Sequence, residues 1–198
     1  MISNYKKKKF EIIVFSILLL LPIFIDSYYL DNISYFMCWT FISLGLAVIW
    51  GMGGILSFGQ TAFFGLAGYA FSVISINFLG IAGVSIWSVI LSLIITGIFG
   101  MIVGYFLFYG GIYDVFIGIV TLAITLVLET FMQQTAGPEY AIGSARLNGF
   151  NGMQGMPTIG FESLQFGLLE GITQYYFILL LAIIILISLY KFKQSKIG

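Results

Sequence analysis

From Asn32 to Tyr113 the chain carries no Asp, Glu, Lys, Arg or His. No other feature narrows the possible folds as sharply, because soluble domains carry about 25% charged residues. At ~1.5 Å of rise per helical residue and ~30 Å of hydrocarbon, one crossing takes about 20 residues, so this run has room for three or four. Backbone polar groups at that depth have no water to bond, which leaves helices or a closed barrel. Runs such as "FILLLAIIILISLY" lack the period-two alternation of a barrel strand. The composition agrees: 60% hydrophobic, 8% charged, mean hydropathy +1.08. The expected fold is an all-α polytopic integral membrane protein, a single transmembrane domain over 1–198.

Six apolar runs read as spans: Phe10–Ile25, Ile33–Trp50, Thr61–Leu79, Ser85–Phe108, Tyr113–Met132 and Tyr175–Tyr190. Seven of the eight basic residues lie near the ends, at Lys6, Lys7, Lys8, Lys9, Lys191, Lys193 and Lys196. Basic flanks mark the cytoplasmic side, so both termini are expected there, with an even number of crossings. The same lysines serve as this topological signal rather than as a nucleic-acid surface, and no nucleic-acid partner is expected. Trp39, Trp50 and Trp87 are read as lying near span ends. Asp26 and Asp31 fall in an outward turn, and the segment 133–173 forms one long extracytoplasmic loop. Gly97, Gly100 and Gly104 on the fourth span, with Gly65 and Gly68 on the third, are candidate helix-packing residues.

The absence of histidine from the sequence removes Ser-His-Asp catalysis, histidine bases and histidine-ligated metals. Cys38 is alone, and no nucleotide-binding G-x-x-x-x-G-K motif occurs. No catalytic residue, metal or cofactor is expected; a passage or binding cavity is what these residues can build. Asn32-Ile33-Ser34 matches a glycosylation sequon by spacing only. Two carboxylates approach membrane depth. Glu129 reads either as a cavity residue or as an interfacial one, and Asp114 as a helix-start carboxylate. The stretch "GGILSFGQTAFFGLAGYAFS" brings glycines together with Ser57, Gln60 and Thr61. It fits two structures equally: a cytoplasmic turn before a glycine-rich helix, or a broken helix along a substrate path.

Those residues also resemble a family. "GLAVIWGMGGILSFGQTAFFGLAGYA" is similar to the G-L-N-L-V-x-G-x-x-G-x-L-S-x-G-x-A-A-F-F-G-x-G-A-Y stretch of LivM-like permeases of branched-chain amino acid ABC importers. "DVFIGIVTLA" resembles that family's G-x-Y-F-A-I-V-T-L-A, and "GFNGMQGMP" its outer-loop G-x-N-G-x-x-G-x-P, in the same order. The chain departs from the pattern at Tyr113, Asp114 and Thr61. The resemblance implies a multi-pass subunit of the bacterial cytoplasmic (inner) membrane, bathed in membrane lipid. It also implies a second permease subunit, two ATP-binding subunits that hydrolyse ATP, and an extracytoplasmic solute-binding protein. For a transported solute, Ser57, Gln60, Thr61, Thr121 and Glu129 are the candidate path residues among the polar groups of the spans. Asn148, Asn151, Gly152, Gly155 and Pro157 become candidates for the loop facing the binding protein. "SFGQ" also looks close to the urea-importing branch, so urea or another small polar solute is the alternative cargo. "KQSKIG" resembles a point after which family members continue into a basic helix that docks the ATPases. A truncated permease, or a non-transporting scaffold or inactive fragment, is therefore a further expectation.

Overall fold

The computed structural model describes residues 2–113, 115–161, 166–167 and 171–194. Six long helices dominate it: α1 Ile2–Leu20, α2 Ser27–Gly53, α3 Gln60–Asn77, α4 Val84–Tyr109, α5 Val115–Gln133 and α6 Gly171–Gln194. Each of the six apolar runs therefore has most of its length on one helix, the first outlasting α1 into the 3-10 turn Leu21–Ile23. Four of these helices, α2, α4, α5 and α6, are long and apolar enough to cross a membrane. The apolar part of α1 is shorter, Ile12–Ile23. The α3 helix has 18 residues, opens on Gln60 and closes on Asn77.

Boundaries differ from expectation where capping decides them. The α2 helix starts at Ser27 with Asp26 in an extended N-cap conformation, so Asp31 sits within the helix and not in the outward turn. A carboxylate near a helix start is favoured by the backbone dipole. Asn32 is likewise helical, its Nδ2 donating to Tyr28 O at 3.0 Å, which removes the open loop a sequon needs. Trp39 lies mid-helix, not at a span end, with its ring 6.2 Å from that of Phe64 on α3. Asp114 and most of "FESLQFGLLEGI" lie outside the described residues.

Packing divides the helices into groups. Leu30 of α2 and Tyr175 and Leu179 of α6 form a buried cluster, against which Leu18, Leu21, Ile25 and Met37 pack. Pro22 explains one polar contact inside this group. It has no N–H, so the Leu18 carbonyl loses the donor that a helix would supply four residues on. The fully buried Tyr175 hydroxyl donates to that carbonyl at 2.6 Å, and Tyr176 does the same for Leu19 at 3.1 Å. The C-terminal end of α1 is thus fastened to the N-terminal end of α6, and each lysine cluster lies at the far end of its helix.

The α3–α4 hairpin packs through serines. Ser72 and Ser75 on α3, and Ser85, Ser88 and Ser92 on α4, are all buried. Small hydroxylated residues let two membrane helices approach closely while bonding their own backbone, as Ser88 does to Val84 O at 2.7 Å. The candidate packing glycines of the fourth span contribute little to this contact within the chain. A Cβ at Gly97 would meet nothing within 4 Å, and one at Gly104 only Phe108 of the same helix. Gly100 alone of the three seats a neighbour, since a Cβ there would lie 3.6 Å from the Phe63 ring.

The segment between α5 and α6, expected from the sequence to form the outer loop, carries two short antiparallel ribbons, Ala141–Ile142 with Ala145–Arg146 and Gly160–Phe161 with Phe166–Gly167. Side chains at the ends of α3 and α4 hold it down. Asn77 Nδ2 donates to Ile142 O at 2.7 Å while its Oδ1 accepts from Ser144 N–H at 2.8 Å. Ser85 Oγ both donates to Gly160 O and accepts from Gly160 N–H.

Tyr175→Phe should lower stability in detergent by about 1–2 kcal/mol, because it leaves a buried carbonyl unpaired. Tyr176→Phe, at an exposed position, should cost less. Thermal unfolding of the two variants checks the order.

Candidate functional site

The α2 helix ends at Gly54, which adopts φ +66° and donates its N–H to Trp50 O at 3.0 Å. A left-handed residue after a helix suits glycine, which lacks the Cβ that penalises this conformation. From Gly54 to Gly59 the backbone is irregular, and α3 starts at Gln60. Irregular backbone inside a bilayer is tolerated only where protein or water satisfies it. Here the partner is α5.

Phe58 N–H donates to Thr121 Oγ1 at 3.0 Å, and the Thr121 hydroxyl in turn donates to its own helix at Ile117 O, 2.8 Å away. Thr125 Oγ1 lies 3.1 Å from Phe58 O and 2.9 Å from Thr121 O, so one proton serves both carbonyls. Ser57 Oγ accepts from Gly59 N–H at 3.2 Å, closing the turn locally. Gly118 provides the clearance: a Cβ there would lie 3.2 Å from Leu56 O and 3.4 Å from the Phe58 ring. At ~1.5 Å per residue, Thr121 and Thr125 stand about 9 and 15 Å along α5, near the middle of a helix about 28 Å long. The connection between α2 and α3 rests along α5 from Val115 to Thr125, and not beyond its end.

One face of α5 organises everything around the break. Gly118, Thr121, Thr125, Glu129 and Gln133 recur at three- and four-residue spacing, which brings them to a single side of a helix. The first three receive the irregular segment. The last three line a cleft of about 330 Å³ that α5 forms with the start of α3. Thr61, Gly65 and Tyr69 face it from α3, and Gly149 and Phe150 of the outer loop close its far side. Its apolar wall comes from Leu66, Leu128 and Met132. Glu129 is exposed, and its Oε1 accepts from Gln133 Nε2 at 3.0 Å.

The candidate path residues therefore separate. Thr61 and Glu129 line the cleft together. Ser57 and Thr121 are buried and bond backbone, so they hold the break in place without facing the cleft. Gln60 is half-buried at the first position of α3 and does not line the cleft. Gly118 and Thr125 were not singled out in the sequence, although the polar stripe along an otherwise apolar helix was there to be read. Gly65 and Gly68 seat no neighbour within the chain. A Cβ at either would meet nothing within 4 Å, because Gly65 opens onto this cleft and both open onto a neighbouring one of about 270 Å³.

The loop candidates form a turn that glycine makes possible. Asn148 adopts φ +63° and its Nδ2 donates to Gly152 O at 2.9 Å. Gly149, Gly152 and Gly155 all have positive φ, and a Cβ at Gly149 would strike Ala136 at 2.7 Å. Asn151 is exposed and Pro157 half-buried. Gly152 borders the second cleft beside Met153 and Met156.

Thr121→Val keeps the side-chain volume but leaves Phe58 N–H without an acceptor. It should cost about 1–3 kcal/mol and speed amide exchange at Phe58, while Thr121→Ser should restore most of both. Unfolding in detergent combined with hydrogen-exchange mass spectrometry reads the two effects. Gly118→Val should resemble Thr121→Val by pushing Leu56 O away.

A family model described as the permease component of branched-chain amino acid transport systems matches residues 28–198. No curated protein and no solved structure matches the chain. The family match takes in α2 through α6, and so includes the interrupted helix pair, the polar face of α5 and the outer loop. The chain belongs to the permease component family of branched-chain amino acid transport systems.

Proposed function

We propose that this chain is the membrane-embedded permease subunit of an ABC importer that carries branched-chain amino acids across the bacterial cytoplasmic membrane. The observation that carries the reading is the cleft beside the interrupted helix. In a segment otherwise built for lipid, it gathers Thr61, Thr125 and Glu129 against an apolar wall. Interrupted helices near the bilayer middle are where transporters place small solutes. A zwitterion with a hydrocarbon side chain needs such a mixture of a few polar groups and an apolar surface.

In this reading the chain supplies the path and other subunits supply the work. A second permease chain completes the passage, and two ATP-binding subunits drive it by alternating access. An extracytoplasmic binding protein delivers solute to the loop that carries Asn148, Asn151, Gly152, Gly155 and Pro157. Ser57, Gln60 and Thr121 act from behind the path, by fixing where the helix breaks. Urea is the competing cargo suggested by "SFGQ". The structure employs Ser57 within that motif for a local backbone bond, so the motif speaks to the turn and not to the solute.

The test is uptake by the complete transporter in proteoliposomes. Wild type should accumulate leucine in an ATP-dependent manner and leave urea outside. Gly65→Leu fills the cleft while improving intrinsic helix propensity by roughly 0.5–1 kcal/mol. Uptake should fall at least about tenfold, the equivalent of ~1.4 kcal/mol, while thermal stability is kept or raised. Unimpaired leucine uptake by Gly65→Leu would remove the cleft from the path, and uptake of urea in place of leucine would change the cargo.

A further inference from the structure

The cleft carries one charged side chain, and it is negative. Glu129 reaches the cleft, and no basic residue lines it among the described residues. A carboxylate's two oxygens accept about four hydrogen bonds, and Gln133 Nε2 supplies one. The Thr125 proton is already committed to the carbonyls of Phe58 and Thr121. Glu129 is therefore left with acceptor capacity and no counter-charge among the described residues that line the cleft. Leu66, Leu128 and Met132 lie in the same cleft. An unneutralised carboxylate beside an apolar wall matches a ligand with a cationic head and a branched hydrocarbon tail.

We propose that Glu129 is the specificity-determining residue that reads the ammonium group of the solute, with Leu66, Leu128 and Met132 contacting its side chain. This rests on the amino-acid reading of the function given above. The ammonium donates N–H bonds to the free acceptor positions of the Glu129 carboxylate, and the pairing of opposite charges strengthens them. No cationic side chain lines the cleft to pair with the solute carboxylate. The Thr61 hydroxyl, which has no partner among the described residues, is a neutral donor for it. The site therefore distinguishes solutes by their amine and only weakly by their acid group.

Leucine can be taken apart to test this. Thermal unfolding of the purified full chain in detergent at neutral pH is followed with three probes at equal millimolar concentration. They are L-leucine, 3-methylbutylamine (leucine without its carboxylate) and 4-methylpentanoate (leucine without its amine). Leucine and the amine should raise the midpoint, and the acid should not. Glu129→Gln should weaken the response to leucine and to the amine by about tenfold or more, as expected for a lost charge-assisted bond. The assignment is overturned if the acid protects as well as the amine, if none of the three protects, or if Glu129→Gln responds as wild type does. Leucine uptake by the complete transporter separates this claim from the one beneath it. An absence of uptake by wild type would contradict the functional reading itself. Uptake by Glu129→Gln at the wild-type rate would contradict only the role given to Glu129.

Discussion

The hydrogen bond from Phe58 N–H to Thr121 Oγ1 is the contact on which the rest of this architecture depends. A helix that stops within a bilayer leaves backbone donors and acceptors that lipid cannot satisfy, at a cost of several kcal/mol for each. The chain meets that constraint with two threonines one helical turn apart on α5, one accepting from Phe58 and one donating to it. Gly118, a turn earlier on the same face, removes the side chain that would keep the segment at a distance. Once the segment is seated, α3 must start beside the middle of α5. A cleft follows between the first turns of α3 and the second half of α5, because the irregular segment separates the two helices below it and the outer loop covers them above.

The outer loop and the helix ends extend the same logic. At three further places where regular hydrogen bonding fails, a side chain from another element fills in. Tyr175 serves the carbonyl orphaned by Pro22, Asn77 holds the turn of a two-residue ribbon, and Ser85 pairs with both backbone groups of Gly160. Each of these contacts joins residues far apart in sequence. They confine the outer loop to the mouth of the clefts, where Phe150 and Gly152 border the two cavities.

Much of this was legible in the sequence, in proportion to how local the cause is. Each apolar run landed on a helix, because hydrophobic length depends only on the run itself. The helix break was visible as glycine and polar residues in an uncharged setting, but its depth was not, since depth depends on what α5 offers opposite. Thr121 was named as a candidate path residue, yet only the structure shows that its hydroxyl is committed to backbone. Gly97 and Gly104 show the limit in reverse, since glycines on one face of a helix do not determine whether a neighbour within the chain comes to them. The stripe of Gly118, Thr121, Thr125, Glu129 and Gln133 lay within reach of periodicity. Reading its residues singly concealed that they share one face.

The central claim is that the chain between α2 and α3 re-enters the bilayer and rests against the middle of α5. Its most direct measurement is the depth of Phe58 in a lipid bilayer. A nitroxide placed there, in a Cys38→Ser background, is compared with labels at Leu122 and Val115 on α5, both exposed. Phe58 bonds Thr121 and Thr125, on either side of Leu122 along α5, so the account predicts matching depths for Phe58 and Leu122 inside the hydrocarbon, with Val115, at the start of α5, nearer the headgroups. A label at Phe58 that sat in the aqueous phase, or at a level shallower than Val115, would contradict it.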